Sequence, residues 1–397
     1  MRRVYCITIA VCLACIAVFG GIYGPYKSAR EAEPLKVGFI YQNDETTPYT
    51  HNFTQAQQAL EGAYGERVEV LVRSNVPEKQ TAEPLEALLK AGCRIIFAYT
   101  NSAEVIEVAA NWPDAEFCQV SYKDTDGVPY PNNYHTFNAE SYQSRYVTGI
   151  AAGMKLRELI DAGELKADEA LVGFVGANGN PETISAFTAF ILGARTVAPE
   201  AVLKVRYTGA TCSYSRERAC AEALIGEGCR VIAQHTPTLG PAMACEEASQ
   251  RQEKVYHIGQ DQSLLDITPI SSLVSARVNW TPYVLAAAEA ARTHQDIDRV
   301  VNGNRHGSDV SAGFEKDWVR MLDVSQQNAA PGTREAIEKA VEAFKKGGAQ
   351  VFKGSYTGVD PKNPSDTIDL SGGYDENARS SSPTFHYILD GVVEVES

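Results

Sequence analysis

The sequence predicts an α/β protein of two lobes, each built on a parallel sheet and joined by a hinge, and two observations carry that prediction. Residues 222–262 read as a β-α-β unit: a helix pattern running into Gly228, a β-rich run at 229–234, a polar turn at 235–237, a second helix pattern and a run at 255–258. Residues 86–122 repeat it, with AGCRII at 91–96 matching EGCRVI at 227–232 and residues 99–102 standing where 235–238 stand in the later copy. Two such units, about 135 residues apart, imply two lobes of ordinary domain size. In parallel α/β sheets ligands sit beyond the carboxyl ends of the strands. Residues 99–102, 235–238 and 259–262 are such ends, so they should line a cleft between the lobes.

Taken in order, residues 27–34 (KSAREAEP) form a polar tether, and 36–41 (KVGFIY) a first central strand. The stretch 42–51 has no periodicity and reads as a loop ending at Asn52, a candidate N-cap for a helix over 53–64. Strands follow at 67–73, 95–98, 116–121 and 135–138, with helices at 80–91 and 103–111 and a loop at 122–133. A helix over 140–161 contains Gly149, Ala151, Ala152 and Gly153, small enough for close approach to another element. The second lobe opens with a strand at 171–176, then a helix to about Val197, a strand at 202–207 and a helix through Ile225. Residues 270–278 read as a crossover strand, and 279–282 (NWTP) open a helix to about Thr293. Beyond a helix at 332–346, residues 350–353 suggest a last strand, 354–384 a long Gly, Ser, Asp and Pro-rich loop, and 387–395 a terminal hairpin. The expected division is a leader and tether over 1–33, one lobe over 36–137 plus about 263–300, and a second over 138–262 plus about 301–397.

The 397 residues are 44% hydrophobic and 22% charged, which supplies ample core for two lobes. The formal charge of −14 and the lack of a basic stripe argue against a nucleic-acid partner. Arg2 and Arg3 followed by an unbroken apolar run at 4–19 fit a secretory signal. The run is short for a spanning helix. Within it, Leu13-Ala14-Cys15 resembles a bacterial lipobox, with Cys12 where Leu or Val is usual, so Cys15 is the expected lipid-attachment site and the protein an exported, membrane-anchored monomer. Six cysteines lie beyond this segment, at 93, 118, 212, 220, 229 and 245. In an exported protein they permit disulfides, and they equally suit small buried positions.

No catalytic signature is present: there is no GxSxG elbow and no HExxH, and the seven histidines never fall at i, i+4 on a helix. The glycines at 173, 176 and 179 lack the spacing of a phosphate loop and are explained by a tight strand-to-helix turn. No metal, cofactor or catalytic residue is expected. Binding fits better. Tyr49 and His51 lie in the loop after the first strand, and Trp280 offers a flat face of the kind on which a base stacks. His235 and Asp261 sit at strand ends, where an ionised carboxylate suits ligand hydroxyls or amino groups. Asn138 and Asn279 each donate and accept, as reading the edge of a heterocycle requires. Each could instead cap the helix that follows it.

Several stretches together resemble the basic membrane protein family, the substrate-binding lipoproteins of nucleoside-class ABC transporters. They are residues 36–41, FNAESYQSRYVTGIAAG at 137–153, 172–193, VIAQHTP at 231–237, IGQDQ at 258–262 and SARVNWTPY at 275–283. The resemblance implies a type I periplasmic-binding-protein fold of two Rossmann-like lobes, an ABC permease as partner, and a purine nucleobase or nucleoside as ligand. It implies aromatics around the base, with Tyr49 where a Trp is usual and Trp280 nearby, and polar contacts from Asn138, His235 and Asp261. Two departures bear on a ribose: the family's Asp-x-Ser-Phe-Asn loop is replaced by TPYTHNF at 47–53, and Val278 stands where a lysine is frequent. A ligand-sensing lipoprotein of the same fold and an envelope enzyme are the alternative readings.

Overall fold

The computed structural model describes residues 33–120 and 130–395. The expected leader, Cys15 and nearly all of the tether lie outside the described residues. Strands β1 (Leu35–Tyr41), β2 (Val68–Arg73), β3 (Ile95–Tyr99), β4 (Glu116–Val120) and β5 (Tyr134–Ala139) pair in parallel in the order 5-4-3-1-2. Strands β6 (Leu171–Gly176), β7 (Val202–Tyr207), β8 (Val231–His235), β9 (Tyr256–Gln260) and β10 (Ser272–Val278) form a second parallel sheet in the order 10-9-8-6-7. Central strands such as IIFAY in β3 and VIAQH in β8 are buried on both faces, hence their near-continuous apolar runs.

The chain returns to the first sheet with β11 (Asn304–His306) and β12 (Asp309–Ala312), the latter parallel to β5, and goes back to the second with β13 (Val319–Val324), antiparallel to β10. We take the lobes to follow these sheets. Residues 272–278, expected in the first lobe, are hydrogen-bonded into the second sheet, and 304–312, expected in the second, complete the first. β10 is as apolar as any central strand, and nothing in its sequence pattern tells which sheet it joins.

Helices α1 (Pro48–Tyr64), α2 (Ala82–Lys90) and α3 (Glu104–Asn111) cover the first sheet. The first of these begins five residues earlier than expected: Pro48, read as part of a loop, occupies the first helical turn, where its missing N–H costs nothing. Helices α4 (Tyr142–Asp161) and α5 (Pro181–Arg195) pack backbone against backbone. A Cβ at Gly149 or Gly193 would stand closer than 3.0 Å to a main-chain carbonyl of the other helix. Gly173 and Gly176 are likewise packed against Ile232 and Thr183, and Asn180 caps α5 by accepting from Thr183 N at 2.9 Å. These are packing glycines. Helices α6 (Tyr214–Gly226) and α7 (Gly240–Gln250) flank the second sheet, and α8 (Thr281–Thr293) packs on α1, followed by the single turn α9 (Ile297–Val300).

Beyond α10 (Thr333–Lys345) the chain departs from expectation. No strand forms at 350–353, whereas β14 (Thr357–Asp360) and β15 (Asn363–Asp369) form an antiparallel ribbon inside the expected loop. Its residues are mostly exposed and polar, so no apolar alternation announced it. The expected terminal hairpin does not close on itself. β16 (Ile388–Leu389) pairs with β14, and β17 (Val392–Glu394) joins the edge of the second sheet, parallel to β7. The Arg195 guanidinium holds the turn between them, donating to the carbonyls of Asp390 and Gly391 at 3.0 and 3.1 Å.

Among the described residues, three segments that pass between the sheets are 139–142, 278–281 and 312–319. They are tied to one another. Glu140 N donates to Ala312 O at 2.9 Å, Asn279 N to Trp318 O at 2.7 Å, and Phe314 N to Gln143 Oε1 at 3.0 Å. Among the described residues the six cysteines are unpaired, and Cys93, Cys118, Cys229 and Cys245 are buried.

Candidate functional site

The carboxyl ends of the strands of both sheets face one cleft of about 250 Å³, just below the roughly 300–1,000 Å³ usual for small-molecule pockets. The first lobe contributes Gln42 after β1, Tyr99 at the end of β3, Asn138 in β5 and Tyr49 from the first turn of α1. The second contributes Glu182 from the first turn of α5, His235 at the end of β8, and Gln260 and Asp261 at the end of β9.

Asp261 is the pivot of this cleft. It adopts a left-handed backbone (φ 66°), which Asp tolerates better than most residues, and its N–H donates to Ala276 O at 2.7 Å. Its Oδ1 accepts from Asn52 Nδ2 of the first lobe and from Gln260 Nε2 of the second, both at 3.0 Å. Burial pushes its carboxyl up to about 6, against the opposing pull of Arg145 and these two amides. Asn52, expected to cap a helix, is instead inside α1, with its side chain reaching across the cleft.

Behind the cleft wall, Arg145 of α4 is buried. Its Nη2 lies 2.8 Å from His235 Nδ1, and His235 Nε2 lies 3.3 Å from Glu182 Oε1. Burial pulls the guanidinium down to about 10, resisted by the charges of Asp261 and Glu182. Thr236 Oγ1 and Gln260 Oε1 are buried at the cleft without a hydrogen-bond partner among the described residues, so both retain hydrogen-bonding capacity toward a ligand.

The aromatic side of the cleft is a row of rings. Tyr49 meets Tyr99 edge-on at 4.8 Å, and Phe53 is stacked between Tyr99 at 5.0 Å and Trp280 at 5.1 Å. Trp280 itself is fully buried, with Phe137 edge-on at 5.3 Å on its other side.

The structure therefore brings Tyr49, Asn138, His235 and Asp261 together at the cleft and places three other expected contacts elsewhere. Trp280 lies in the core behind Phe53, because the crossover that carries it turns inward onto the rings of α1. Asn279 is a crossover residue: its Nδ2 donates to Asp317 O at 2.7 Å, pinning one inter-lobe segment to another. His51 faces along its own helix, with its Nε2 2.9 Å from Gln55 Nε2, and does not line the cleft. Arg145, Asn52, Glu182 and Gln260 were missed. For Arg145 a signal existed: it shares a helical face with Gly149, Ala152 and Leu156, and a cation on such a face must have a buried partner.

Comparison with known proteins agrees with this geometry. Residues 46–349 match the Bmp family, described as PnrA-like ABC transporter substrate-binding proteins. A purine-binding protein of Brucella abortus is 27% identical over 333 residues, covering 82% of this chain and 85% of that one. A Haloferax volcanii protein assigned as an ABC transporter glucose-binding protein is 26% identical over 258 residues, covering 64% of this chain and 60% of its own. Among solved structures, an ABC transporter solute-binding protein of Conexibacter woesei superposes with a TM-score of 0.60 at 16% identity, covering 80% of this chain and 98% of that one, which speaks to the fold. No helix among the described residues is long and apolar enough to cross a membrane. The chain belongs to the Bmp family of PnrA-like ABC transporter substrate-binding proteins, extracytoplasmic solute binders that serve a permease and are not enzymes.

Proposed function

We propose that this protein captures a purine nucleobase or nucleoside between its lobes and delivers it to an ABC permease, the lobes closing about the hinge as the ligand binds. The observation that carries this reading is the composition of the cleft: the rings of Tyr49 and Tyr99 together with a mixed set of hydrogen-bonding groups, Asn138, His235, Gln260 and Asp261. A heterocycle needs both, an aromatic face to lie against and donors and acceptors along its edge. The Brucella abortus purine-binding relative supports the same class. Asp261, Glu182 and Glu78 all line the cleft, and a phosphate placed among three carboxylates would be repelled. Bases and nucleosides should therefore bind, and nucleotides should not. Anchoring through Cys15 and a monomeric state belong to the same proposal.

A sugar is the second reading, favoured by the Haloferax volcanii relative and by the carboxylates, which suit hydroxyl donors. One experiment separates the two: mass spectrometry of small molecules released on denaturing the purified protein, paired with thermal shift against adenine, adenosine, AMP and glucose. Stabilisation by adenine or adenosine and none by AMP is the expected result. Stabilisation by glucose alone would replace the purine reading with the sugar reading, and a protein stabilised by none of the four would refute both.

A further inference from the structure

We propose that Arg145 is a positioning residue that fixes the tautomer of His235, with the proton on Nε2, so that His235 presents an N–H donor to the cleft beside the acceptors of Glu182, Gln260 and Asp261. The inference rests on reading the cleft as the ligand site. The argument is one of donor count. A guanidinium has only N–H donors and no acceptor. At 2.8 Å from Arg145 Nη2, His235 Nδ1 must therefore offer its lone pair, since an N–H there would face another N–H. A neutral imidazole whose Nδ1 accepts carries its proton on Nε2. That nitrogen points to Glu182 Oε1 at 3.3 Å, a distance at which the bond is weak enough to be exchanged for a ligand acceptor.

Three charged groups face this imidazole: Arg145 from α4, Glu182 from α5 and Asp261 from the end of β9. The guanidinium at Nδ1 selects the tautomer whose N–H is on Nε2. The consequence for recognition is a fixed pattern, a donor at His235 Nε2 next to acceptors at Glu182, Gln260 Oε1 and Asp261. This pattern accepts an edge carrying an acceptor beside an amino or imino N–H, as purine bases do, and rejects an edge made of acceptors alone.

The test is nitrogen-15 NMR of the ligand-free protein labelled at histidine, with the His235 signal identified by its loss in His235→Gln. The expected spectrum at pH 8 has one protonated nitrogen, Nε2, and one bare nitrogen, Nδ1. A proton on Nδ1 at pH 8 would overturn the proposal whether or not any purine binds. In Arg145→Met the proton should distribute over both ring nitrogens at pH 8, and in Arg145→Lys, which keeps a donor, it should stay on Nε2. With adenosine as probe, Arg145→Met should bind at least about ten-fold more weakly, the scale of one charge-assisted hydrogen bond, and Arg145→Lys should recover most of that loss. If Arg145→Met lowers the melting temperature but leaves the His235 signal unmoved, Arg145 is structural only and the proposal fails. If that variant does not fold, the wild-type spectrum still decides.

Discussion

Replacing Asp261 by Asn should make the empty protein more stable while weakening its grip on ligand. Both amides that reach Asp261 converge on the same oxygen, Oδ1. Asparagine retains that oxygen, so the variant removes the charge and keeps the hydrogen bonds. Burial lifts the carboxyl from its ordinary 3.8 to about 6 in the folded chain, with the favourable pull of Arg145 already included. Holding the ionised form in the fold therefore costs about 3 kcal/mol. The sign follows from which state binds the proton more tightly. Here it is the folded one, so wild-type stability falls as pH rises from about 4 to 6 and the deficit is complete above 6. Urea unfolding of the ligand-free wild type and Asp261→Asn from pH 4 to pH 8 measures this. The two should be alike at pH 4 and diverge to about 3 kcal/mol in favour of the variant at pH 8, while ligand affinity drops about ten-fold or more as a charged acceptor is lost. A variant less stable than wild type at pH 8, or a gap of the same size at both ends, would refute the idea that the fold bears a cost to keep this carboxylate ionised.

His257 behaves in the opposite sense. It is fully buried, its Nε2 lies 3.0 Å from Gln234 Oε1, and burial holds it down to about 3, so only the unfolded chain takes up its proton as pH falls below about 6.5. His257→Gln should flatten the acid loss of stability, which wild type should show at up to about 1.4 kcal/mol per pH unit from this group, as followed by urea midpoints. Gly193→Ala should cost about 3 kcal/mol or more, because its methyl would meet the Tyr146 carbonyl, whereas Gly62→Ala, in α1 with nothing near its Cβ, should gain up to about 1 kcal/mol; thermal melts of both variants check the contrast. Trp280→Ala should lose about 3–5 kcal/mol as a core truncation, and an unchanged melting curve would restore Trp280 as a cleft residue.

The two β-α-β units were legible because the central strands of a parallel sheet are buried on both faces and their apolar runs cannot be disguised. Their carboxyl ends were legible for the same reason, which is why Asn138, His235 and Asp261 could be placed at a cleft. Helix-borne contacts were harder. Asn52 looks like a cap because a polar residue before an apolar helix usually is one, and only the approach of Asp261 from the other lobe gives it another role. Trp280 erred the other way: an indole announces area to be covered, and sequence does not say whether ligand or core covers it. The return of the chain to the first sheet is hard to read from sequence because β11 and β12, at NRH and DVSA, are too short to carry a period. The ribbon of β14 and β15 has hardly any apolar residues to signal it.

The placement of β17 bears on how the protein is made. Until β17 is delivered, β7 is an open edge with a row of unpaired backbone groups, the kind of surface on which chains join and aggregate. Tyr207 at the end of β7 and Glu394, its eventual partner, are 187 residues apart, so the edge is covered only when a distant, late segment of the chain has joined the fold. Meanwhile, Lys204 and Arg206 project from that strand and pair with Glu227, which comes soon after them. Charges along a bare edge discourage pairing with a second molecule. The same three side chains that look like surface decoration in the finished protein thus put charge along that edge while the covering strand is still absent.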